Sequence, residues 1–351
     1  MTSCNIRLAE RDEMQLWDSY VEAHAHGTPY HLSGWRRAVE EAYGFECPYL
    51  LAMEAGRITG ILPLVIMGLP WCGKGLVSLP YCDVGGVLAD SLETGRMLFM
   101  SGVQLATDRR IETLELRNGA VMEGQRGEQQ YRYQSVSGKV RMVLELPESS
   151  ERLWKGFKSK LRSQIRKAEK NGLTFRLTGD INGFYTVFSE NMRDLGSPVH
   201  SRMWIRSVID AYGEKAKVGL VLKGENLVGG GIILRCGSRI SIPWASTLRA
   251  WNRLGPNMLL YWKLLEYAAD HGVNRFDFGR STPGEGTYRF KKQWGARPQP
   301  LEWIRIFPAA APIPPGQSSS ASRETAARLW RQLPLPLANY IGPRLRKYIS
   351  L

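Results

Sequence analysis

Asn274 to Gly295 reads NRFDFGRSTPGEGTYRFKKQWG, and the rest of the chain is best read outward from it. Phe276, Asp277 and Phe278 alternate apolar and polar, as in a short strand with one buried face, and Gly279, Pro283, Gly284 and Gly286 then predict an irregular loop. A strand opening into such a loop presents side chains at a pocket. The loop closes on Tyr288, Phe290, Lys291 and Trp294, which places a cation among aromatic rings, where partial burial lowers an amine's pKa or aims its charge. Taken alone, the stretch also fits an ordinary strand end with a solvated lysine.

The strand at its start has a counterpart far upstream. Leu114-Glu115-Leu116 aligns with Phe276-Asp277-Phe278, and Leu79-Pro80-Tyr81 with Ile242-Pro243-Trp244, at offsets of 276 − 114 = 162 and 242 − 79 = 163. The strongest repeat is GTPYHLSGWRRAVEEAYG (27–44) against GSPVHSRMWIRSVIDAYG (196–213), nine identities in eighteen positions at an offset of 196 − 27 = 169. Such self-similarity marks a duplication. The copies cover about residues 4–147 and 173–308, each ending in a strand that stops at Pro147 or Pro308. Each reads as strand, helices, a β-hairpin, strand, helix, strand. The hairpins are Tyr49–Met53 with Ile58–Met67 and Val218–Leu222 with Leu227–Leu234; the last helix is clearest at Pro256–His271. The predicted fold is α/β with mixed sheets, as two similar domains in tandem. Gly127 to Gln134 also aligns with Gly284 to Lys291, so the first copy carries Gln134 where the second has Lys291, and Ser137 where it has Trp294. One active site, in residues 173–308, is the consequence.

Between the copies (148–172), Leu153, Phe157, Leu161, Ile165 and Ala168 recur at helical spacing beside Lys155, Lys158, Arg162, Arg166 and Lys170. One amphipathic basic helix is predicted. It is either a solvated face or an arm that contacts phosphates through Lys158, Arg162 and Arg166. Residues 309–322 are a Pro/Ala/Ser-rich linker, and 323–351 a basic amphipathic tail that docks a partner, rests on an anionic membrane or covers the second domain.

Composition narrows the partners. The 351 residues carry a net charge of +14, which points to a polyanion such as RNA, a nucleotide-linked substrate or a membrane surface. Five cysteines (Cys4, Cys47, Cys72, Cys82, Cys236) show no metal-ligand spacing and read as reduced thiols. No metal site is expected. The acidic N-terminus and the short apolar run Ile61–Trp71 predict a cytoplasmic protein, at most peripheral at the inner face of the membrane.

FDFGRS followed by YRFKKQWG, the order of elements in each copy and the basic helix resemble the FemAB family of double GNAT-fold transferases, also described as BioF2-like acetyltransferase domains. GSPVHS, FK-x-x-WG and the LPLPLANYIGP tail further resemble FemAB-related proteins found with exosortase and PEP-CTERM exopolysaccharide systems. The resemblance implies an enzyme that moves an aminoacyl or acyl group from aminoacyl-tRNA or acyl-CoA, as co-substrate rather than bound cofactor, onto an amine or hydroxyl of a peptidoglycan, cell-envelope or exopolysaccharide precursor. It matches Phe290-Lys291 to the family's Phe-Lys pair at the reacting centre. Aminolysis of an activated ester needs alignment, a deprotonated amine and a stabilised oxyanion, with no metal. Lys291 is the candidate for the charge, Asp277 and His200 for the proton, and Phe290, Tyr288 and Trp294 for the wall, with Arg280 and Arg253 as further substrate contacts. His200 repeats as His31, which also fits a helix-entry histidine. The Asn252-Arg253-Leu254-Gly255-Pro256 turn only partly matches the pyrophosphate cradle of acyl-CoA enzymes, because proline removes an amide donor. A non-catalytic basic module that binds RNA or lipid-linked anionic precursors is the alternative.

Overall fold

The computed structural model describes residues 4–69, 73–117, 131–135, 138–308 and 320–350. The chain forms two compact units, Met1–Val140 with Pro300–Pro315 and Tyr348–Leu351, and Arg141–Gln299 with Gly316–Lys347. In chain order the first copy supplies β1 (Asn5–Leu8), α1 (Met14–Ala23), α2 (Ser33–Tyr43), β2 (Leu50–Glu54), β3 (Arg57–Leu62), β4 (Val65–Leu69), β5 (Gly73–Val77), β6 (Leu88–Ala89), α3 (Leu92–Asp108), β7 (Thr113–Arg117), β8 (Tyr131–Ser135) and β9 (Val140–Glu145). There follow α4 (Ser150–Gly156) and α5 (Ser159–Lys170), then β10 (Leu173–Thr178), α6 (Ile181–Leu195), α7 (Arg202–Tyr212), β11 (Ala216–Lys223), β12 (Asn226–Cys236), β13 (Arg239–Thr247), α8 (Pro256–Asp270), β14 (Arg275–Ser281), α9 (Gly286–Gln293), β15 (Arg297–Pro300), β16 (Trp303–Pro308), α10 (Ser320–Arg331) and α11 (Leu335–Arg346).

The first unit holds a four-stranded antiparallel sheet, β1-β2-β3-β6, and a five-stranded mixed sheet, β4-β5-β7-β16-β8. The single hairpin arm predicted over Ile58–Met67 is two strands in different sheets, because Pro63 has no N–H to continue the ladder. The strand predicted to end at Tyr81 stops at Val77, and Leu79 and Tyr81 take left-handed backbone angles. From α3, Leu98, Phe99 and Val103 seal the core against Leu62, Leu64 and Leu114.

In the second unit one seven-stranded mixed sheet runs β10-β11-β12-β13-β14-β9-β15, with β13 and β14 parallel. Phe184, Phe188, Leu260 and Leu264 of α6 and α8 are fully buried. The strand that closes each copy in sequence completes the other unit's sheet: β9 lies beside β14, and β16 lies between β7 and β8. The bounds 4–147 and 173–308 therefore describe sequence copies, and the compact units are divided differently. Backbone ladders carry no side-chain signature of which neighbour they join.

Two further expectations are revised. The basic helix is broken in two at Phe157, whose extended backbone turns its ring inward; Ser149 caps the first half and Asn171-Gly172 ends the second. Tyr131–Ser135 is a strand paired with β16, whereas Tyr288–Lys291 is helical, so Gln134 is not the structural counterpart of Lys291. Gly127–Gln130, Ser137, Cys72 and most of the 309–322 linker lie outside the described residues. Cys4, Cys47, Cys82 and Cys236 are free thiols. The tail forms α10 and α11, which pack on α6: the Arg193 guanidinium donates to the Leu333 carbonyl (3.3 Å) and Asn339 to the Ser189 hydroxyl (3.3 Å).

Candidate functional site

β14 continues three residues past the predicted strand, to Ser281, and only Thr282–Glu285 form the turn. From Gly286 the chain is helical, where an irregular loop was expected: Gly284 takes the left-handed conformation (φ 81°) and leaves Gly286 free to open α9. Helical spacing then sets Phe290 and Trp294 one turn apart on one face, and Lys291 toward β14.

Lys291 is 8% exposed. Its Nζ donates to the carbonyls of Gly279 (3.0 Å) and Arg280 (2.7 Å), so the ammonium is fixed at the end of β14. Asp277, also buried, accepts from the amide of Gly279 (2.8 Å), and its other oxygen lies 3.6 Å from the Arg141 guanidinium on β9. Lys291 and Asp277 thus grip the same residue by its carbonyl and its amide, and half-buried Arg280 follows directly. The first unit repeats half of this arrangement. Glu115 on β7 meets Arg117 (3.0 Å) and, from β16, Arg305 (2.8 Å). Burial pushes the Glu115 carboxyl up, but the two guanidinium groups outweigh it and hold the pKa below the usual range. An acid on an interior strand facing an arginine of the neighbouring strand is common to both units; the lysine belongs to the second alone.

An aromatic wall stands behind Lys291. Tyr261 of α8 stacks on Phe278 (5.5 Å) and meets Phe290 edge-on (5.1 Å), and Phe157 meets Trp294 (5.6 Å) and Trp262 (5.8 Å) edge-on. Trp294 is 1% exposed. The break at Phe157 opens a cavity of about 470 Å³ against the end of α9, lined chiefly by Phe157, Lys158, Lys160, Lys292, Trp294 and Arg297. Four cations and no acid line it, so it suits an anion. Tyr288 is half-buried, with the Lys292 ammonium 5.9 Å above its ring.

The other predicted residues lie apart. Arg162 and Arg166 are on α5 but outside the cavity lining, and Arg166 sits over the Trp154 ring (5.5 Å). Arg253 is exposed in the turn before α8, where Asn171 donates to the Leu254 carbonyl (3.0 Å). That is the far end of α5 from Lys158, about 18 Å along the helix. His200 is buried between Trp204 (6.0 Å) and Trp244 (6.2 Å). Burial, then the Arg346 charge, hold its imidazole well below the ordinary pKa and therefore neutral. Its counterpart His31 is tied to Thr28 (2.8 Å) and to the Gly86 carbonyl (3.1 Å), as a helix-entry histidine. At the start of α8, a side chain on Gly255 would meet Ala168 of α5 at 3.4 Å, an ordinary contact distance, so α5 runs beside the helix end at which an acyl-CoA cradle would form. Sequence reasoning missed Lys160, Lys292 and Arg297, although the Lys-Lys pair and the arginine just after Trp-Gly were legible. Nothing local marked Arg141, which only the sheet order brings to Asp277.

Among the described residues no His/Cys/Asp/Glu group is placed to hold a metal, and no helix is long and apolar enough to cross a membrane.

A family profile described as an acetyltransferase (GNAT) domain matches residues 155–292, a span that holds Lys158, Asp277 and Lys291. No curated protein matches the chain significantly. Among solved structures, FemX matches with a TM-score of 0.68 at 15% identity, over 86% of this chain and 96% of that one. L-PGS from Bacillus licheniformis matches at 0.55 and 13%, over 93% and 99%, and a tandem GNAT protein from the clavulanic acid biosynthesis pathway at 0.55 and 13%, over 89% and 100%. The chain has a FemAB-like double GNAT fold.

Proposed function

We propose that this chain is an acyl or aminoacyl transferase of the FemAB type, moving its group from an activated anionic donor onto an amine or hydroxyl of a cell-envelope or exopolysaccharide precursor. The observation that carries the reading is the four-cation cavity beside α9, on the helix that holds Lys291 at the end of β14. In the reaction the acceptor's amine attacks the donor's ester or thioester carbonyl. A C–N bond forms, the C–O or C–S bond breaks, and the leaving oxygen or sulfur departs with the proton the amine loses. The role assigned to Lys291 is electrostatic, favouring the oxyanion that develops in a site walled by Phe290 and Trp294. Asp277 positions the Gly279 backbone for that lysine. His200, neutral at physiological pH, is assigned to the packing of α7.

Aminoacyl-tRNA is the donor this arrangement favours over acyl-CoA, because Pro256 removes an amide donor from the α8 start while the cations gather at the opposite end of α5. Lys158 is then a phosphate contact, with Arg162 and Arg166 further along the same helix. The test is mass spectrometry of peptidoglycan and exopolysaccharide from cells carrying wild type or Lys291→Met. A mass lost in the variant names the transferred group; identical masses overturn the reading. Filter binding with charged tRNA and with acyl-CoA decides the donor. Substituting Lys158, Lys160, Lys292 and Arg297 by Gln should weaken the true donor's binding and flatten its salt dependence.

A further inference from the structure

From Thr325 to the last residue the chain has five basic residues (Arg328, Arg331, Arg344, Arg346, Lys347) and no acid; the last acidic residue is Glu324, on α10. Docking on α6 leaves much of its apolar surface outside. Gly196, just past α6, touches the backbone of Ala327, and Gly342 touches Val199, so these small residues mark the inner faces of α10 and α11. On α11 a rotation of about 100° per residue puts Leu337, Tyr340 and Arg344 on the side opposite Ala338 and Gly342. Tyr340 is 63% exposed and Leu337 42%. The Arg344 guanidinium lies over the Tyr340 ring, 3.8 Å from its centre. On α10, Leu329 is 58% exposed next to Arg328, with the exposed Arg331 farther round the helix, and Leu195, at the end of α6 beside Ala327, is 60% exposed. The one acid next to it, Asp194, is paired with Arg193.

We propose that this outer face of α10 and α11 docks on the surface of an anionic phospholipid bilayer. Exposed leucines and a tyrosine flanked by arginines, with no acid on α11, match an interface that takes apolar groups at headgroup depth and attracts cations. A soluble protein partner would need no such excess of positive charge. Arg stacked on Tyr is suited to the boundary, since both present an apolar body and a polar tip. Docking here brings a transferase to lipid-linked acceptors, but the proposal rests on the tail alone and its readout needs no transfer.

The experiment is flotation of the full-length protein with vesicles of phosphatidylcholine alone and of phosphatidylcholine with one quarter phosphatidylglycerol. Binding to the anionic vesicles only, weakened at least tenfold by 0.5 M salt, by Leu329→Ser/Leu337→Ser/Tyr340→Ser, and by Arg328→Gln/Arg331→Gln/Arg344→Gln, is the expected result. All substituted residues are exposed, and an unchanged melting temperature and far-UV spectrum show that each variant is folded. Failure of wild type to float with anionic vesicles overturns the proposal, as does equal flotation of both folded variants. Concentration-dependent self-association lost in the variants, without vesicle binding, overturns it in favour of a second copy.

Discussion

Lys291→Met tests the centre of the site in two independent ways. The substitution keeps length and apolar stem but removes the ammonium that holds the carbonyls of Gly279 and Arg280 at 3.0 and 2.7 Å in a position only 8% exposed. A hydrogen bond to a charged group contributes about 1.5–3 kcal/mol, and an orphaned buried carbonyl costs about 1–3 kcal/mol. Relief of the buried ammonium's own desolvation offsets part of this. The net loss should be about 2–4 kcal/mol, read as a lower urea midpoint for the second unit's transition. Lys292→Met, on the exposed side of α9, should stay within about 0.5 kcal/mol of wild type. Transfer activity, measured well below the variant's unfolding midpoint, should drop at least a hundredfold for Lys291→Met and modestly for Lys292→Met. Coincident unfolding curves for Lys291→Met and wild type would refute the clamp. Wild-type turnover in a folded Lys291→Met protein would refute the electrostatic role, whatever the stability result.

Three other outcomes can be measured with the same protein. The unfolded chain protonates His200 near pH 6.5 whereas the folded chain keeps it neutral, so the unfolded state binds more protons below that pH and the His200 contribution to stability falls as pH drops through 6.5, approaching about 1.4 kcal/mol per unit. His200→Gln should flatten that slope between pH 6.5 and 5, and parallel pH–stability curves would exclude it. Glu115→Gln leaves Arg117, with no exposed side-chain surface, and Arg305 facing a neutral amide, and should cost about 3–5 kcal/mol in the first unit's transition. Trp294→Ala removes the ring that contacts Phe157, Tyr261 and Phe290 and should cost about 3–5 kcal/mol while weakening donor binding; a loss under 1 kcal/mol would show that the wall is not packed as described.

The sequence by itself determined the duplication, the strand at Phe276–Phe278, helix α8 with its Gly-Pro start, and the histidine that enters α2. Each follows from short-range rules: period-two alternation, proline and glycine at helix ends, and identity between copies. Tertiary structure alone decided where those rules compete or do not reach. The uninterrupted apolar spacing from Leu153 to Ala168 predicts one helix, yet burying Phe157 between Trp262 and Trp294 breaks it and opens the cavity. Glycines argued for a loop at 286, but Gly279 and Gly284 take the left-handed angles and Gly286 does not, so α9 can form and turn Lys291 back to β14. Arg141 meets Asp277, and Arg305 meets Glu115, only because strands far apart in sequence share a sheet through backbone hydrogen bonds that side chains do not encode. The opening stretch thus announced its lysine. The carbonyls that hold it lie in the same stretch, but Arg141, Lys158 and Lys160, which complete the charge around it, come from residues more than a hundred positions away.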